Sequence, residues 1–133
     1  MPTSRHGHSA VVVDGKVLVL GGYGPSPLAT VEEYDPSTDG WRKRADMPAP
    51  RGFFGAATAK GFVFAIAGRM RGEPPVERYD PRSDTWKRLR TMPSQSRNRF
   101  SIAAVEGLIY IVGGEEQEDR SVPFTVWRYE PDG

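Results

Sequence analysis

The 18 residues from Arg5 to Gly22, RHGHSAVVVDGKVLVLGG, return as RGFFGAATAKGFVFAIAG at 51–68 and as RNRFSIAAVEGLIYIVGG at 97–114. The copies start 46 residues apart and share an arginine at the start, a central glycine and two small residues at the end. A fixed period of this length is the sequence signature of a repeat architecture. We therefore interpret the chain as successive copies of one structural unit.

Each copy contains the pattern of a β-hairpin. In the first copy, the apolar segments Ser9–Val13 and Lys16–Leu20 flank Asp14-Gly15, and Asp-Gly between two such segments is a strong hairpin signal. Beyond the hairpin, the segment from Tyr34 to Trp41 predicts a third strand, a turn rich in Asp, Pro and Gly, and a fourth strand. Each unit is therefore predicted to be a four-stranded antiparallel meander.

Side-chain size changes from the first strand of a unit to the last. Alanine and glycine occupy the first strands, as at Ala10, Gly55-Ala56-Ala57 and Ala103-Ala104, whereas Tyr and Trp occur in the later strands. In a radial arrangement of sheets the inner strands are crowded and the outer strands diverge, so small residues suit the inside and aromatic residues fill the outer gaps. The gradient predicts β-propeller blades.

The order of these landmarks resembles the kelch repeat of β-propeller proteins. The matching residues of the first two units are a glycine at the end of the second strand, then tyrosine, then tryptophan: Gly21, Gly22, Tyr34 and Trp41, then Gly68, Tyr79 and Trp86. The third unit supplies Gly113, Gly114 and Tyr129. The resemblance implies kelch repeats at 1–46, 47–91 and 92–133, the last without its outermost strand.

Nearly three blades do not close a propeller, since closed propellers have about 4 to 8 blades. Two alternatives remain open for how the flanking blade faces are covered. We expect the chain to belong to a longer kelch array, because open stacks of repeats need polar capping units and neither end has one. The alternative is self-association of copies into a ring.

The amino-acid composition restricts the classes of partner and chemistry that we expect. The chain has 18 basic and 17 acidic residues, a balance that favours neither nucleic acid nor an anionic membrane as a partner. Cysteine is absent, which excludes disulfides and thiolate chemistry within these residues. The longest apolar run, 62–67, is too short for a membrane span, and no signal segment is evident. We expect a soluble protein, cytoplasmic by default, with the compartment unassigned.

Three candidate cation sites are better explained by the repeat. His6 and His8 are replaced by Gly and Phe in the second copy and by Asn and Phe in the third. The segment from Asp35 to Asp46 resembles a calcium loop, but its counterpart at 80–91 lacks the required glycine and final ligand. The acidic run 115–119 is interpreted as a solvated loop. We therefore expect no metal and no cofactor.

Arginine outnumbers lysine by 14 to 4, which suits bidentate recognition of carboxylates. The basic residues near the predicted outer strands are interpreted as solvated charges that protect a sheet edge. These residues are Arg42, Arg44, Lys87, Arg88 and Arg90.

The candidate ligand-binding residues lie in loops that share one end of the predicted propeller. Tyr23, Arg69 and Glu115 follow the glycine landmarks, and Asn98 and Arg99 follow the landmark arginine of the third copy. The kelch resemblance implies that such loops hold a protein or peptide ligand, with acidic segments as the expected class. No catalytic triad can be assembled, so a non-catalytic binding module is predicted. The alternative is part of a sugar-active kelch enzyme, such as a sialic-acid mutarotase.

Overall fold

A computed structural model describes residues 1–69, 75–91, 97–98, 101–112, 115–116 and 126–130 of the chain. This part of the chain is built from β-strands joined by turns and loops, and it contains no helix that could cross a membrane. The strands are β1 (Ser9–Val13), β2 (Lys16–Leu20), β3 (Val31–Asp35), β4 (Gly40–Arg44), β5 (Gly55–Ala59), β6 (Phe62–Ile66), β7 (Pro75–Asp80), β8 (Thr85–Thr91), β9 (Arg97–Asn98), β10 (Ser101–Val105), β11 (Leu108–Val112), β12 (Glu115–Glu116) and β13 (Val126–Tyr129).

The first two sheets are four-stranded antiparallel meanders, with strand orders β1-β2-β3-β4 and β5-β6-β7-β8. In both sheets the predicted tyrosine of the third strand faces the predicted tryptophan of the fourth, as Tyr34 with Trp41 and Tyr79 with Trp86. The prediction of four-stranded meanders is confirmed for these two units. The second sheet differs by an irregularity between Pro75 and Glu77, which shifts the register there.

The third sheet has the strand order β10-β11-β13 in the described part of the chain. Its register matches the earlier units, since Tyr129 pairs with Ile109 as Tyr34 pairs with Val17. The third unit therefore has the third strand of the predicted meander, and this strand ends at the landmark Tyr129. A separate pair of short strands, β9 and β12, brings Glu115 opposite Asn98.

The inner hairpins have the geometry that the sequence requires. Asp14, Lys60 and Glu106 have φ between 51° and 54°, and the glycine after each of them also has a positive φ. Two successive residues with positive φ define a type I′ turn, whose twist matches that of the flanking strands. These three turns lie at one end of the sheets, and the loops that join β2 to β3 lie at the other.

The sheets lie side by side and bury two cores between them. β5 lies between β1 and β10, so the small-residue strands are neighbours, as the propeller prediction requires. The first core fills the space between the first and second sheets with Leu18, Leu20, Val31, Val63 and Tyr79 among its members. The second core joins the second and third sheets with Phe64, Ile66, Val76, Ile109 and Ile111.

One predicted surface charge is instead part of the junction between the first two sheets. The side chain of Arg44 is only 10% exposed and forms an ion pair with Glu33 at 3.1 Å within its own sheet. It also donates to the Tyr79 hydroxyl at 2.9 Å and to the Pro81 carbonyl at 2.7 Å in the next sheet. The interpretation of Arg44 as solvated is therefore wrong, because the end of β4 lies against the β7–β8 turn rather than in water. Arg42, two residues earlier, has a 64% exposed side chain.

Candidate functional site: the loop face

Two buried arginines hold the loops that form the candidate site. Arg5 donates to the carbonyls of Gly21 and Thr30, each at 3.0 Å, and forms an ion pair with Glu32. Arg51 occupies the same place in the second unit, where it donates to the Pro75 carbonyl and lies 3.4 Å from Glu77. Each arginine thus ties the loop before an inner strand to the third strand of the same sheet.

Burial has electrostatic consequences for the second of these pairs. The side chains of Arg51 and Glu77 are both fully buried. Desolvation lowers the pKa of Arg51 to about 10, although the charge of Glu77 opposes the shift. Desolvation also raises the pKa of Glu77, against the attraction of Arg51 and Arg88. The pair therefore fixes the loop at the cost of desolvating two charges, and the attraction between the two charges offsets that cost.

Three pairs of residues join the loops at equivalent places in the three units. His6 pairs with Tyr23, Gly52 with Arg69, and Asn98 with Glu115, so that both members advance by 46 residues from one unit to the next. In the first pair each backbone N–H donates to the partner's carbonyl, at 3.0 and 2.8 Å, and in the second the distances are 3.0 and 2.7 Å. We call the surface formed by these six residues, with Gly7 and Phe53, the loop face.

Four of the five predicted ligand-binding residues belong to the loop face. Tyr23, Arg69 and Glu115 occupy corresponding positions after the second strand of each unit, and Asn98 lies opposite Glu115. Arg99 lies outside the described residues, as do the landmarks Gly113 and Gly114. The loop face is thus a geometric unit, and a ligand-binding role for its residues remains a prediction.

Glycines allow the loops within each unit to approach closely. Gly22 and Gly68 have φ of 92° and 90°, a backbone conformation that side chains strongly disfavour. A Cβ on Gly22 would overlap the His6 carbonyl, and a Cβ on Gly68 would overlap the Phe54 side chain. The Gly22 N–H also donates to the Arg51 carbonyl of the next unit at 2.8 Å, so the loop face is continuous across the blade boundary.

An aromatic cluster lies on the loop face between the first and second units. It consists of His6, Tyr23 and Phe53, with ring centroids 5.5 Å apart for Tyr23 and Phe53 and 5.8 Å apart for His6 and Tyr23. The guanidinium of Arg69 lies over the Phe53 ring, 5.3 Å from its centroid. Gly52 lies against the Tyr23 ring, where any side chain would collide with it. The cluster presents three rings in tilted and edge-on contact beside an exposed cation.

Phe53 is the loop-face residue that the sequence analysis missed. It lies 46 residues after Gly7, and both residues have a positive φ, of 49° and 65°. A glycine in one repeat marks a backbone position that needs positive φ, so Gly7 was the available signal. Read in this way, the repeat would have predicted that Phe53 adopts an unusual conformation at an exposed loop.

The chemistry available at the loop face is that of recognition. Burial, together with the nearby Arg5 and His6, lowers the pKa of His8. In the part of the chain that the structure describes, no group of three or more His, Asp or Glu residues is arranged to hold a metal ion. Stacked rings and an arginine can supply apolar contact, cation–π contact and hydrogen bonds to a carboxylate.

The aromatic landmarks of the repeat lie away from the loop face. The rings of Tyr34 and Trp41 are 5.1 Å apart, and those of Tyr79 and Trp86 are 5.0 Å apart. Trp86 donates its indole N–H to the Ala45 carbonyl at 3.0 Å, which joins the outer strands of two adjacent sheets. At the boundary between the second and third sheets, the ring centroids of Tyr129 and Phe64 are 6.2 Å apart.

These observations agree with a comparison against known families, in which the model described as the Kelch motif matches residues 4–48 and again 50–93. The chain belongs to the kelch-repeat family. The two matched segments cover the first and second kelch sheets, together with the loops that carry the aromatic cluster.

Curated kelch proteins are similar over much of this chain. Kelch-like protein 40 of Xenopus laevis is 31% identical over 139 residues, covering 97% of this chain and 23% of that protein. Kelch-like ECH-associated protein 1B of Danio rerio is 29% identical over 103 residues, covering 74% of this chain and 18% of that protein. The human Influenza virus NS1A-binding protein is 36% identical over 69 residues, covering 51% of this chain and 11% of that protein. The match to this chain thus spans between 11% and 23% of the length of these relatives.

A solved structure shows the same fold. The structure of YjhT superimposes with a TM-score of 0.85 at 16% sequence identity, and the match covers 99% of this chain and 50% of that one. At this identity the likeness concerns the fold alone. Together with the family match, it confirms the predicted all-β architecture of kelch-type propeller blades.

Proposed function

We propose that this kelch chain is a non-catalytic module that binds a protein or peptide segment at its loop face. The observation that carries the proposal is the aromatic cluster with Arg69 stacked on Phe53, held in place by the paired loops. Tyrosine and arginine are among the residues most enriched at the energetic centres of protein interfaces, and phenylalanine is enriched in interfaces as a whole. A rigid frame below them lowers the entropic cost of binding.

The names of the relatives support a binding role. One relative is described as ECH-associated and another as NS1A-binding, so both names state association with a protein. The matched segment of the ECH-associated relative covers 74% of this chain, which includes a large part of the kelch repeats. Association with a protein is accordingly the function proposed for the kelch repeats of this chain.

An acidic segment is the proposed ligand class. Arg69 is exposed and forms no ion pair with a carboxylate among the described residues. Arg99, which the 46-residue spacing places at the position of Phe53 in the third unit, is a second proposed donor, and Asn98 precedes it in the sequence. Guanidinium groups bind carboxylates with two parallel hydrogen bonds, which favours Asp or Glu in the partner.

The test is a selection of random 12-residue peptides displayed on phage against the immobilised 133-residue chain. Affinities of the enriched peptides are then measured for the natural chain and for Arg69→Ala and Tyr23→Ser. We expect each variant to weaken binding by about tenfold or more, as for central interface residues. Arg82→Ala is the matched control, because Arg82 is also an exposed arginine over a phenylalanine ring, Phe62, at a centroid distance of 5.6 Å.

Two results would refute the loop face as the binding site. One is a selection that enriches no peptide. The other is a set of peptides whose affinity is unchanged by both loop-face variants or is lowered equally by Arg82→Ala. No specific observation among the described residues favours the alternative of a sugar-active enzyme.

A further inference from the structure

Phe53 occupies a backbone conformation that phenylalanine rarely adopts. Its φ is 49°, and a bulky residue at positive φ is an outlier that the rest of the structure must hold in place. Phe53 is nevertheless 39% exposed. A residue that only filled the core would be buried. The burial of this exposed ring therefore contributes little stability to the fold relative to the cost of the strained backbone.

The neighbours of Phe53 hold the ring in one place. The ring lies over Gly7 of the first unit, where an added Cβ would be 3.1 Å from the ring. Tyr23 and His6 lie at centroid distances of 5.5 and 6.4 Å, and the Arg69 guanidinium covers the ring from its own unit. Gly7 therefore has a double role, since it adopts positive φ itself and leaves space for the ring that stands above it.

We propose that Phe53 is the apolar anchor of the loop face. The occupant is an extended segment of a partner protein that places an aromatic or large aliphatic side chain on Phe53 and, two residues away on the same face, an Asp or Glu against Arg69. This inference rests on the proposed binding function and specifies the ligand: a carboxylate alone is insufficient, and the apolar residue two positions from it decides selectivity.

Charge and contact geometry support this occupant. Arg69 is already stacked on Phe53, so a carboxylate that binds the guanidinium must lie at the edge of the ring. Side chains of an extended peptide alternate between its two faces, so the next residue on the same face lies about 6.6 Å further along the chain, within reach of the exposed part of the ring. Such an apolar contact also removes water from around the ion pair, which strengthens it.

The repeat shows how the anchor could differ between units. The position that carries Phe53 is Gly7 in the first unit and, by the 46-residue spacing, Arg99 in the third. One backbone position thus presents no side chain, an aromatic ring or a cation, depending on the unit. Selectivity for an apolar residue is therefore assigned to the second unit.

The experiment repeats the peptide selection in parallel on three proteins: the natural chain, Phe53→Gly and Lys60→Gly. Glycine relieves the strained backbone at residue 53, so the variant is expected to fold, which its melting temperature checks. Lys60→Gly is the matched control, because Lys60 also has a positive φ, of 54°, at the opposite end of the sheet.

We expect peptides from the natural chain and from Lys60→Gly to be enriched in an aromatic or large aliphatic residue two positions from Asp or Glu. The Phe53→Gly pool should keep the acidic preference and lose the apolar one, and peptides selected on the natural chain should bind this variant about tenfold more weakly. Equal apolar enrichment in all three pools would overturn the anchor while leaving the loop face as the binding site. Peptides that bind without responding to Arg69→Ala or Tyr23→Ser, or an empty selection, would overturn the proposed function, and the anchor with it.

Discussion

At the scale of single residues, the backbone of the loop face separates structural positions from recognition positions. Replacing Phe53 with glycine removes a left-handed conformation that costs about 1 to 2 kcal/mol for a residue with a Cβ. It also removes the ring contacts of a residue that is 39% exposed. We expect these effects to offset each other, so that the free energy of unfolding of Phe53→Gly stays within about 1 kcal/mol of the natural value. Urea titration measures it, and a loss above about 2 kcal/mol would show that the ring is structural.

Gly68 is the opposite case, because its space is already filled. A Cβ there would overlap Phe54, and the φ of 90° is outside the range of alanine. Gly68→Ala should therefore lower the free energy of unfolding by more than about 2 kcal/mol. Gly24→Ala is the control within the same kind of loop. A Cβ added at Gly24 would be 3.5 Å from the nearest atom, which is ordinary contact, and the φ of Gly24 is not positive. Equal melting temperatures for the two variants in differential scanning calorimetry would be inconsistent with this difference.

At the scale of elements, the contact between β4 and the β7–β8 turn stabilises the first blade boundary. Partial burial by itself would raise the pKa of Asp84, but hydrogen bonds from Tyr79, from the Ala45 N–H and from Arg44 lower it. The folded state thus favours the carboxylate, and its contribution is complete above the unfolded pKa of about 3.8 and is lost as pH falls below that value. Asp84→Asn should cost about 1 kcal/mol at pH 7, a modest value because the group is 44% exposed.

Urea unfolding of the natural chain and Asp84→Asn from pH 7 to pH 2 measures this contribution. The difference between the two proteins should shrink as the pH falls through 3.8 and below. Asp39→Asn is the matched control, because Asp39 occupies the same turn position in the first sheet. Its carboxylate accepts a hydrogen bond from the Tyr34 hydroxyl at 2.7 Å, but it accepts none from an arginine among the described residues. A difference that is independent of pH, or an equal loss in Asp39→Asn, would argue against the role of the Arg44 contact.

The elements themselves could be predicted from the sequence because they depend on local patterns. Asp14-Gly15 fixes the hairpin between β1 and β2, and the 46-residue period transfers that assignment to the other units. Arg44 could not be assigned in this way. The residues that precede Arg44 in β4 are exposed, so the sequence pattern of the strand does not single it out. Only the three-dimensional packing shows which end of the strand meets the next sheet. The positions of the loop-face residues followed from the repeat, whereas the stacking of Arg69 on Phe53 depends on contacts between loops.

At the scale of the whole molecule, the inner strands of the outer sheets differ from that of the middle sheet. In β5 every other residue is buried, whereas most of β10 is exposed, including Val105 at 55%. In the first sheet Trp41 is 36% exposed, whereas its counterpart Trp86 donates a hydrogen bond to the Ala45 carbonyl beside the first sheet. Apolar faces of this kind promote association, so we expect the 133-residue chain on its own to self-associate with rising concentration. Sedimentation velocity over a hundredfold range of concentration tests this, and one monomeric species throughout would contradict it.

The claim that a partner binds at the loop face is tested most directly by hydrogen–deuterium exchange with and without a selected peptide. Amide protection reports the binding surface whatever the oligomeric state of the chain. The predicted result is slower exchange in segments that contain His6, Tyr23, Phe53 and Arg69, with unchanged exchange at the opposite turn around Lys60. Protection confined to that turn or to the outer strands, with the loop-face segments unchanged, would contradict the proposed function.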